Sequence, residues 1–204
     1  MSDPIERSRD GLTRSPAAAR RRDRALDSFI DLVLEGHLPP TPQQVSERAG
    51  ISTATFFRYF ESLNAMRQQA AARMLERFPL LEIPDMGQGT LSDRIERFVA
   101  IRLALWEKVN LLARLQRTVS LQDPEAAAMV NQVRHIMADQ IREHFGPELR
   151  GISPARREGA VAVIATLTSV ESWEQFRETF GRSQLQTRRV WAEAVMAVLT
   201  EGAS

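Results

Sequence analysis

Apolar residues recur along most of the chain at the spacing of amphipathic helices. Leu26, Phe29, Ile30 and Val33 form the first such stripe, which ends at Gly36. Similar stripes predict helices over 42–49, 53–60, 62–78, 91–109, 111–121, 124–145, 154–180 and 184–199. No segment shows the alternation of a half-buried strand over a useful length. The pattern therefore predicts an all-α protein of about nine helices.

Residues that break regular structure are concentrated in one stretch of the chain, and they are Pro79, Pro84, Gly87 and Gly89. This density indicates a linker at 79–90 between two helical domains, at 20–78 and 91–204. Residues 1–19 hold three arginines among Ser, Asp, Gly and Pro without an apolar period. That composition predicts a mobile basic tail.

Composition narrows the class of protein. The 204 residues are 43% hydrophobic, which is ordinary for a globular protein, and the absence of cysteine excludes disulfides and thiolate sites. The longest apolar stretch, Ala160 to Leu167, is far shorter than the about 20 residues of a membrane span. We therefore predict a soluble cytoplasmic protein. The net charge is +1, so any contact with nucleic acid must depend on a local cluster of charges.

Residues 41–60 have the anatomy of a helix-turn-helix. Thr41 and Gln44 have the spacing of a capping box, and Pro42 occupies the first helical position. Gly50 permits a sharp turn, and Ser52 can cap a second short helix.

The second helix of this motif has two different faces. Phe56 and Phe60 share one face, whereas Ala54, Thr55 and Arg58 lie roughly opposite. Small and hydrogen-bonding side chains on an aromatic-anchored helix suit entry into a DNA major groove. The sequence therefore predicts a DNA-binding domain.

The segment 46–66 reads SERAGISTATFFRYFESLNAM. It resembles the recurring string AxxAGVSxxTLYRYFxSKxxL of the TetR family of one-component transcriptional regulators, and the resemblance extends over about 20–78. The remaining part of the chain is similar only in helix order. The resemblance implies a homodimeric repressor. Its N-terminal helices bind DNA, its middle helices surround an effector pocket, and its last two form a four-helix dimer interface.

Carried over by position, the resemblance assigns DNA contacts to Ser52, Thr53, Ala54, Thr55, Phe57, Arg58 and Tyr59. Arg22 and Thr41 complete the set of expected DNA-binding residues. Two alternatives stay open. The basic cluster at 20–24 either neutralises phosphates or is an ordinary solvated helix start. Arg58 can reach either a phosphate or a guanine edge.

Three positions depart from the pattern of the family. Phe57 stands where a tyrosine is common, and it lacks the hydroxyl that would reach a phosphate. Leu63 replaces a common lysine, and Pro39 and Pro40 replace a more flexible pair after the first helix. These departures remove phosphate contacts without breaking the fold.

One charge interrupts an apolar stripe of the C-terminal region. Arg102 lies on the helix face of Phe98 and Trp106, and a buried guanidinium requires a partner. Two interpretations remain: Arg102 pairs with an anionic effector, or it snorkels or pairs with an acidic side chain. The candidate lining of an effector pocket, which could equally be plain core, is Phe98, Arg102, Trp106, Met129, Val133 and Met137. The expected effector is small and largely apolar.

Two C-terminal segments, 160–170 and 190–199, carry more apolar surface than one small domain covers. Symmetry closes such patches in pairs, so we predict a homodimer. Its operator is expected to be a near-palindrome with half-sites about 34–36 Å apart. The candidate interface residues are Ala160, Val163, Ile164, Leu167, Trp191, Val195 and Val198.

The sequence lacks the constellations that enzymes of this class need. There is no histidine pair with metal-ligand spacing, no glycine-rich phosphate loop and no cysteine. We therefore predict no enzymatic activity, no metal and no cofactor. His37 and His144 lie near helix C-termini, where the helix dipole favours a positive charge. The alternative function is a helical ligand-binding or scaffold protein that does not bind DNA specifically.

Overall fold

The structure is a computed structural model, and it describes residues 15–77, apart from the side chains of residues 75 and 76, and residues 82–200. All regular structure in these ranges is helical, so the all-α prediction is confirmed. The described residues fall into two compact units on either side of the gap at 78–81. Across both ranges, no helix is long and apolar enough to span a bilayer.

The N-terminal unit contains α1 (Pro16–Leu34), α2 (Pro42–Ala49), α3 (Thr53–Tyr59) and α4 (Leu63–Arg77). α1 packs against α2 and α4, and α2 packs against α3. The stripe predicted on α1 is buried between these helices. The large buried apolar side chains of the unit are Leu26, Phe29, Ile30, Leu32, Val33, Val45, Phe56, Phe60 and Met66.

α1 begins about one turn earlier than the sequence predicts. The Ser15 hydroxyl accepts a hydrogen bond from the Ala18 amide at 3.1 Å, and Pro16 takes the first helical position. Ala18 is also buried. Assigning all of 1–19 to a mobile tail was therefore wrong for residues 15–19, and residues 1–14 lie outside the described ranges.

The C-terminal unit contains α5 (Leu91–Ser120), α6 (Pro124–His144), α7 (Gly146–Arg150), α8 (Pro154–Leu167), α9 (Val170–Glu174) and α10 (Gln184–Thr200). A π-helical turn, Gln175–Thr179, follows α9 directly. α5 is the central helix and packs against α6, α9 and α10, while α8 packs against α6 and α10.

α5 runs unbroken through the point where two helices were predicted. The Asn110 side-chain amide donates to the carbonyl oxygens of Trp106 at 3.0 Å and Glu107 at 3.2 Å, so this polar residue is accommodated within the helix. Val109 and Leu112 are both buried, which continues the apolar stripe past Asn110. The predicted break near 110 was wrong.

The predicted helix 154–180 is instead divided at Thr168. The Thr168 hydroxyl donates back to Ile164 O at 2.8 Å, and the Ser169 hydroxyl caps α9 by accepting from the Ser172 amide at 3.2 Å. The break leaves Thr168 O available, and it accepts the Trp106 indole N–H at 2.8 Å. This division and the short α7, which was not predicted, add two helices, and the continuous α5 removes one, so the described ranges hold ten α-helices instead of nine.

Residues 82–90, assigned to the linker, lie against the C-terminal unit. Arg94 Nη1 donates to Gly87 O at 3.4 Å and to Gly89 O at 3.1 Å, and Arg94 Nη2 forms an ion pair with Glu148. The Gly87 amide donates to His144 Nδ1 at 3.2 Å. Ile83 is buried. This part of the connector is therefore held in place by hydrogen bonds.

His144 is buried and neutral, contrary to the positive charge that its place at a helix C-terminus suggests. Because Nδ1 accepts from the Gly87 amide, the proton lies on Nε2, which donates to Arg94 O at 3.0 Å. Burial lowers the pKa of His144, the hydrogen bond to Arg94 O raises it, and nearby arginine charges lower it further. The net direction is downward, so desolvation outweighs the helix dipole here.

We expect the C-terminal unit to lose stability as the pH falls below about 6.5, where an unfolded histidine takes up a proton. The folded state resists this proton because the pKa of His144 is lowered, so protons favour the unfolded chain. His144→Gln should flatten the dependence, measured by urea unfolding between about pH 7.5 and 5.5. The control is His135→Gln on the exposed face of α6. An unchanged slope in His144→Gln would assign the effect to other groups.

Candidate DNA-binding site

The helix-turn-helix is built from α2, a tight turn and α3. α2 opens with the capping box that the sequence predicts, in which Gln44 N donates to Thr41 Oγ1 at 3.2 Å and Thr41 N donates to Gln44 Oε1 at 2.8 Å. The helix ends at Gly50, whose φ of 66° and ψ of 39° are left-handed. The Ile51 amide donates to Ser46 O at 3.0 Å and closes the turn.

α3 is held by its first turn and by its buried face. Ser52 Oγ accepts from the Thr55 amide at 3.1 Å and caps the helix. Phe56 and Phe60 are fully buried, with ring centroids 5.3 Å apart. Because these two rings face the core, the opposite face of α3 points outward, as the sequence predicts.

The outward face of α3 offers one cation and one apolar ring. Arg58 is exposed, and its guanidinium carbon lies 5.7 Å from the Tyr59 ring centroid. Within the described ranges it has no hydrogen bond or ion pair with other groups. Phe57 is 50% exposed and contacts Phe56 edge-on, with centroids 5.2 Å apart. Thr53 and Ala54 are also exposed. This face can therefore meet a groove with charge, apolar contact and little bulk.

Three of the expected contact residues use their hydroxyls in hydrogen bonds within the motif. Thr55 Oγ1 is 2.9 Å from Ser52 Oγ, and Thr41 Oγ1 donates to Gln44 Oε1 at 3.0 Å. Thr55 is half-buried, whereas Thr41 and Ser52 are exposed. These hydroxyls first stabilise the starts of α2 and α3, and so place the remaining side chains.

Arg22 is placed differently from the expectation that it contacts DNA. Its Nη2 donates to Gln69 Oε1 at 2.7 Å, and its guanidinium carbon lies 5.9 Å from the Phe60 centroid. The side chain is half-buried and links α1 to α4. The sequence did contain the signal, since Arg22 lies four residues before Leu26 on the buried face of α1. The exposed cations of the cluster are Arg20, Arg21 and Arg24.

The expected effector residues lie on α5 and α6. Phe98, Arg102 and Trp106 are buried on α5. Met129, Val133 and Met137 are half-buried on α6. Arg102 joins the two helices, because its Nη2 donates to Gln140 Oε1 at 2.8 Å and to Met137 O at 3.4 Å.

Arg102 fits neither of the structural roles considered from the sequence. It is 1% exposed, so it does not snorkel, and its hydrogen-bond partners in the described ranges are uncharged oxygens. Its Nη1 is buried without a hydrogen-bond partner, and its guanidinium carbon lies 4.9 Å from the Phe98 centroid. Burial lowers the pKa of Arg102 to about 10, so the group still carries its charge at neutral pH.

Several candidate interface residues belong to the core of the protomer. Ile164, Trp191 and Val195 have no exposed surface, and Ala160 is also buried. These residues share the faces with which α8 and α10 pack against the rest of the unit. A side chain without exposed surface cannot contact a second protomer, which rules against Ile164, Trp191 and Val195 as interface residues, whereas Ala160 is 7% exposed and stays a prediction. Leu167 and Val198 are half-buried.

The outward apolar surface of the same region is formed by other residues. Val163, which the sequence analysis included, is 51% exposed on α8. Val190 and Leu185 on α10 and Phe180 after the π-helical turn are exposed and were missed. Val190 differs from Trp191 by one position, which turns a side chain by about 100° on a helix. When a helix is apolar on nearly all sides, its sequence does not show which side faces the core.

No family model matches the chain. Over 164 residues it is 28% identical to the HTH-type transcriptional repressor KstR of Rhodococcus jostii (strain RHA1), covering 78% of this chain and 75% of that protein. A solved tetR-family transcriptional regulator from Streptomyces coelicolor superposes with a TM-score of 0.73 at 18% identity, covering 91% of this chain and 82% of that one. A second transcriptional regulator, from Streptomyces coelicolor A3(2), gives a TM-score of 0.62 at 18% identity, covering 89% and 99%.

An aromatic-anchored helix after a tight turn in one unit, followed by an all-helical second unit, is the arrangement of helix-turn-helix transcriptional regulators. The chain is similar in sequence to an HTH-type transcriptional repressor and shares its fold with a tetR-family transcriptional regulator. Both similarities agree with the resemblance that residues 46–66 show to the TetR family.

Gly50→Ala is expected to lower the free energy of unfolding of the N-terminal unit by about 1–2 kcal/mol. An added Cβ at Gly50 meets no atom within 4 Å, so the loss comes from the left-handed backbone alone. Gly50→Asn should recover much of it, because asparagine tolerates this conformation. Urea unfolding of both variants tests this, and equal losses for alanine and asparagine would contradict it.

Proposed function

We propose that the protein is a homodimeric repressor that binds a near-palindromic operator in the cytoplasm and is released by a small, largely apolar effector. The observation that carries the proposal is the outward face of α3, where Arg58 is exposed with no hydrogen bond or ion pair in the described ranges and Phe57 is half exposed. Repression is supported by the similarity to KstR, which is named as a transcriptional repressor.

The residues of α3 divide between two kinds of DNA contact. Arg58 can donate two hydrogen bonds to a guanine edge or pair with a phosphate. Phe57 has no hydroxyl, so it can pack only against a thymine methyl or a sugar. Thr53 and Ala54 are small enough to let the helix approach the bases. The exposed Arg20, Arg21 and Arg24 can add phosphate contacts without reading sequence.

Arg58→Ala should weaken operator binding by about 1–3 kcal/mol for each lost base contact and leave the helical content unchanged. The operator is first selected from fragments of the source genome, and affinities are then measured by fluorescence anisotropy against a scrambled duplex. Arg77→Ala is the matched control, because its Nη2 is paired with Asp31 at 2.6 Å within the domain.

Equal operator affinity of Arg58→Ala and the parent would remove Arg58 from the interface. A parent protein that selects no fragment, and whose binding to duplex DNA does not fall with salt, would favour the alternative of a ligand-binding or scaffold protein.

Dimer formation is supported by the exposed apolar surface of α8 and α10. Val163, Val190, Leu185 and Phe180 are large apolar side chains that the protomer leaves exposed. A self-complementary patch of this kind is covered when two copies meet about a twofold axis. Two recognition helices related by such an axis would read half-sites about 34–36 Å apart.

Val163→Arg should convert the dimer to monomers and reduce operator affinity, because it places a charge in the centre of the proposed interface. Leu121→Arg is the control, since Leu121 is 83% exposed in the turn between α5 and α6. Sedimentation velocity at micromolar concentration measures the change. A parent protein that is already monomeric, or a Val163→Arg dimer, would contradict the proposed interface.

Effector binding is supported by the incomplete packing of α6. Of its 21 residues only Ala126, Ile141 and His144 are buried, so the apolar side chains in between remain half-exposed. Among them are methionines, which adapt easily to a ligand. A ligand that prefers the DNA-free arrangement by about 1–3 kcal/mol would reduce operator affinity about 5- to 150-fold.

A further inference from the structure

The buried guanidinium of Arg102 retains an unused hydrogen-bond donor. Nη2 donates to Gln140 Oε1 and, at the longer distance of 3.4 Å, to Met137 O, whereas Nη1 has no partner. A buried donor without an acceptor is costly, and a buried charge without a counter-charge is more so. Among the described residues, Nη1 therefore has no hydrogen-bond acceptor and the guanidinium has no negatively charged partner.

The acidic side chains on the C-terminal half of α6 do not supply that charge. Asp139 is exposed, and its Oδ1 accepts from Arg142 at 2.8 Å. Glu143 is also exposed. The charged groups whose influence reaches the neighbouring His144 are Arg94, Arg97 and Arg102, all of them cations. Arg94 pairs with Glu148, so within the described part of the unit Arg102 is left without an acidic partner of its own.

Apolar surface lies beside this charge. Ile136 and Met137 lie within one turn of Gln140, and Met129 and Val133 continue the series towards the start of α6. All four are half-buried. A chain or ring bound along them would reach Arg102 with one end.

We propose that the effector is an amphiphilic carboxylate, whose anionic end binds the guanidinium of Arg102 and whose apolar body lies along Met129, Val133, Ile136 and Met137. This inference rests on the proposed function, since it specifies the chemical class of the effector. The carboxylate accepts from Nη1 and, in place of the long bond to Met137 O, from Nη2. The result is a bidentate pair.

A neutral ligand could accept the hydrogen bond of Nη1 but would not neutralise the charge of the guanidinium. An alcohol can accept a hydrogen bond from Nη1, yet it leaves the guanidinium without a counter-ion. Hydrogen bonds to charged partners are about twice as strong as neutral ones, and the difference grows where water is excluded. The carboxylate is therefore expected to bind about tenfold or more tightly than the matched alcohol.

The test compares octanoate, decanoate, dodecanoate and phenylacetate with the matched alcohols and amines on the full chain. Binding is measured by tryptophan fluorescence, because Trp106 lies one turn along α5 from Arg102, and by the shift in melting temperature. Operator release is measured separately by fluorescence anisotropy. The variants are Arg102→Met, which removes the charge but keeps an unbranched side chain, and Arg102→Lys, which keeps the charge without the fork.

Arg134→Met is the matched control. Arg134 is an exposed arginine on α6 that pairs with Glu171 at 2.9 Å, so its loss changes the net charge equally without touching the buried site. We expect the carboxylate preference to disappear in Arg102→Met, to be reduced in Arg102→Lys and to be unchanged in Arg134→Met.

Two results of the binding measurements would overturn the inference: a parent that binds no carboxylate more tightly than its matched alcohol, or a preference that survives in Arg102→Met. If Arg102→Met does not fold, the comparison of ligands on the parent and on Arg102→Lys still decides. Failure of the proposed function would be seen differently, as a parent that binds no operator in the absence of any ligand. A parent that binds operator but is released equally by alcohols would refute the inference alone.

Discussion

The burial of two aromatic rings determines which face of α3 points outward. Phe56 lies on α3 and Phe60 caps its C-terminus, and both are fully buried. A helix as short as α3 is not stable alone, so its position depends on this anchor and on the Ser52 cap. With one face held inside, the direction of Arg58 and Phe57 follows from helical geometry. The recognition surface is thus a consequence of packing, and its chemistry is added by residues that do not contribute to the core.

A second constraint operates in the C-terminal unit, where one long helix organises the others. α5 is 30 residues long and contacts α6, α9 and α10. Its indole at Trp106 bonds to the carbonyl that the break at Thr168 leaves available. His144 and Arg94 attach the connector residues 87 and 89 to the same helix by hydrogen bonds. The connector residues that precede α5 are therefore held by hydrogen bonds as well as by the burial of apolar side chains.

The sequence predicted the features that local rules control, namely the capping box at Thr41, the turn at Gly50 and the aromatic face of α3. The predictions were wrong where contacts between helices determine where a helix ends or which of its faces is buried. Asn110 was taken as a break although buried neighbours continue α5 through it. Trp191 was assigned to an interface because an all-apolar helix does not reveal its inner side. The hydrogen-bond partners of buried side chains, such as Gln69 for Arg22 and the Gly87 amide for His144, become known only when the other elements are in place.

Arg102 shows why a buried charge connects stability with binding. Removing a guanidinium from water costs several kcal/mol even after relaxation. The hydrogen bond to Gln140 and the contact with the Phe98 ring at 4.9 Å offset about 2–5 kcal/mol between them. A ligand that supplied a counter-anion to this guanidinium would stabilise the folded unit in proportion to its binding. The proposed carboxylate site would thus make the same residue a cost to the fold and a source of preference among ligands.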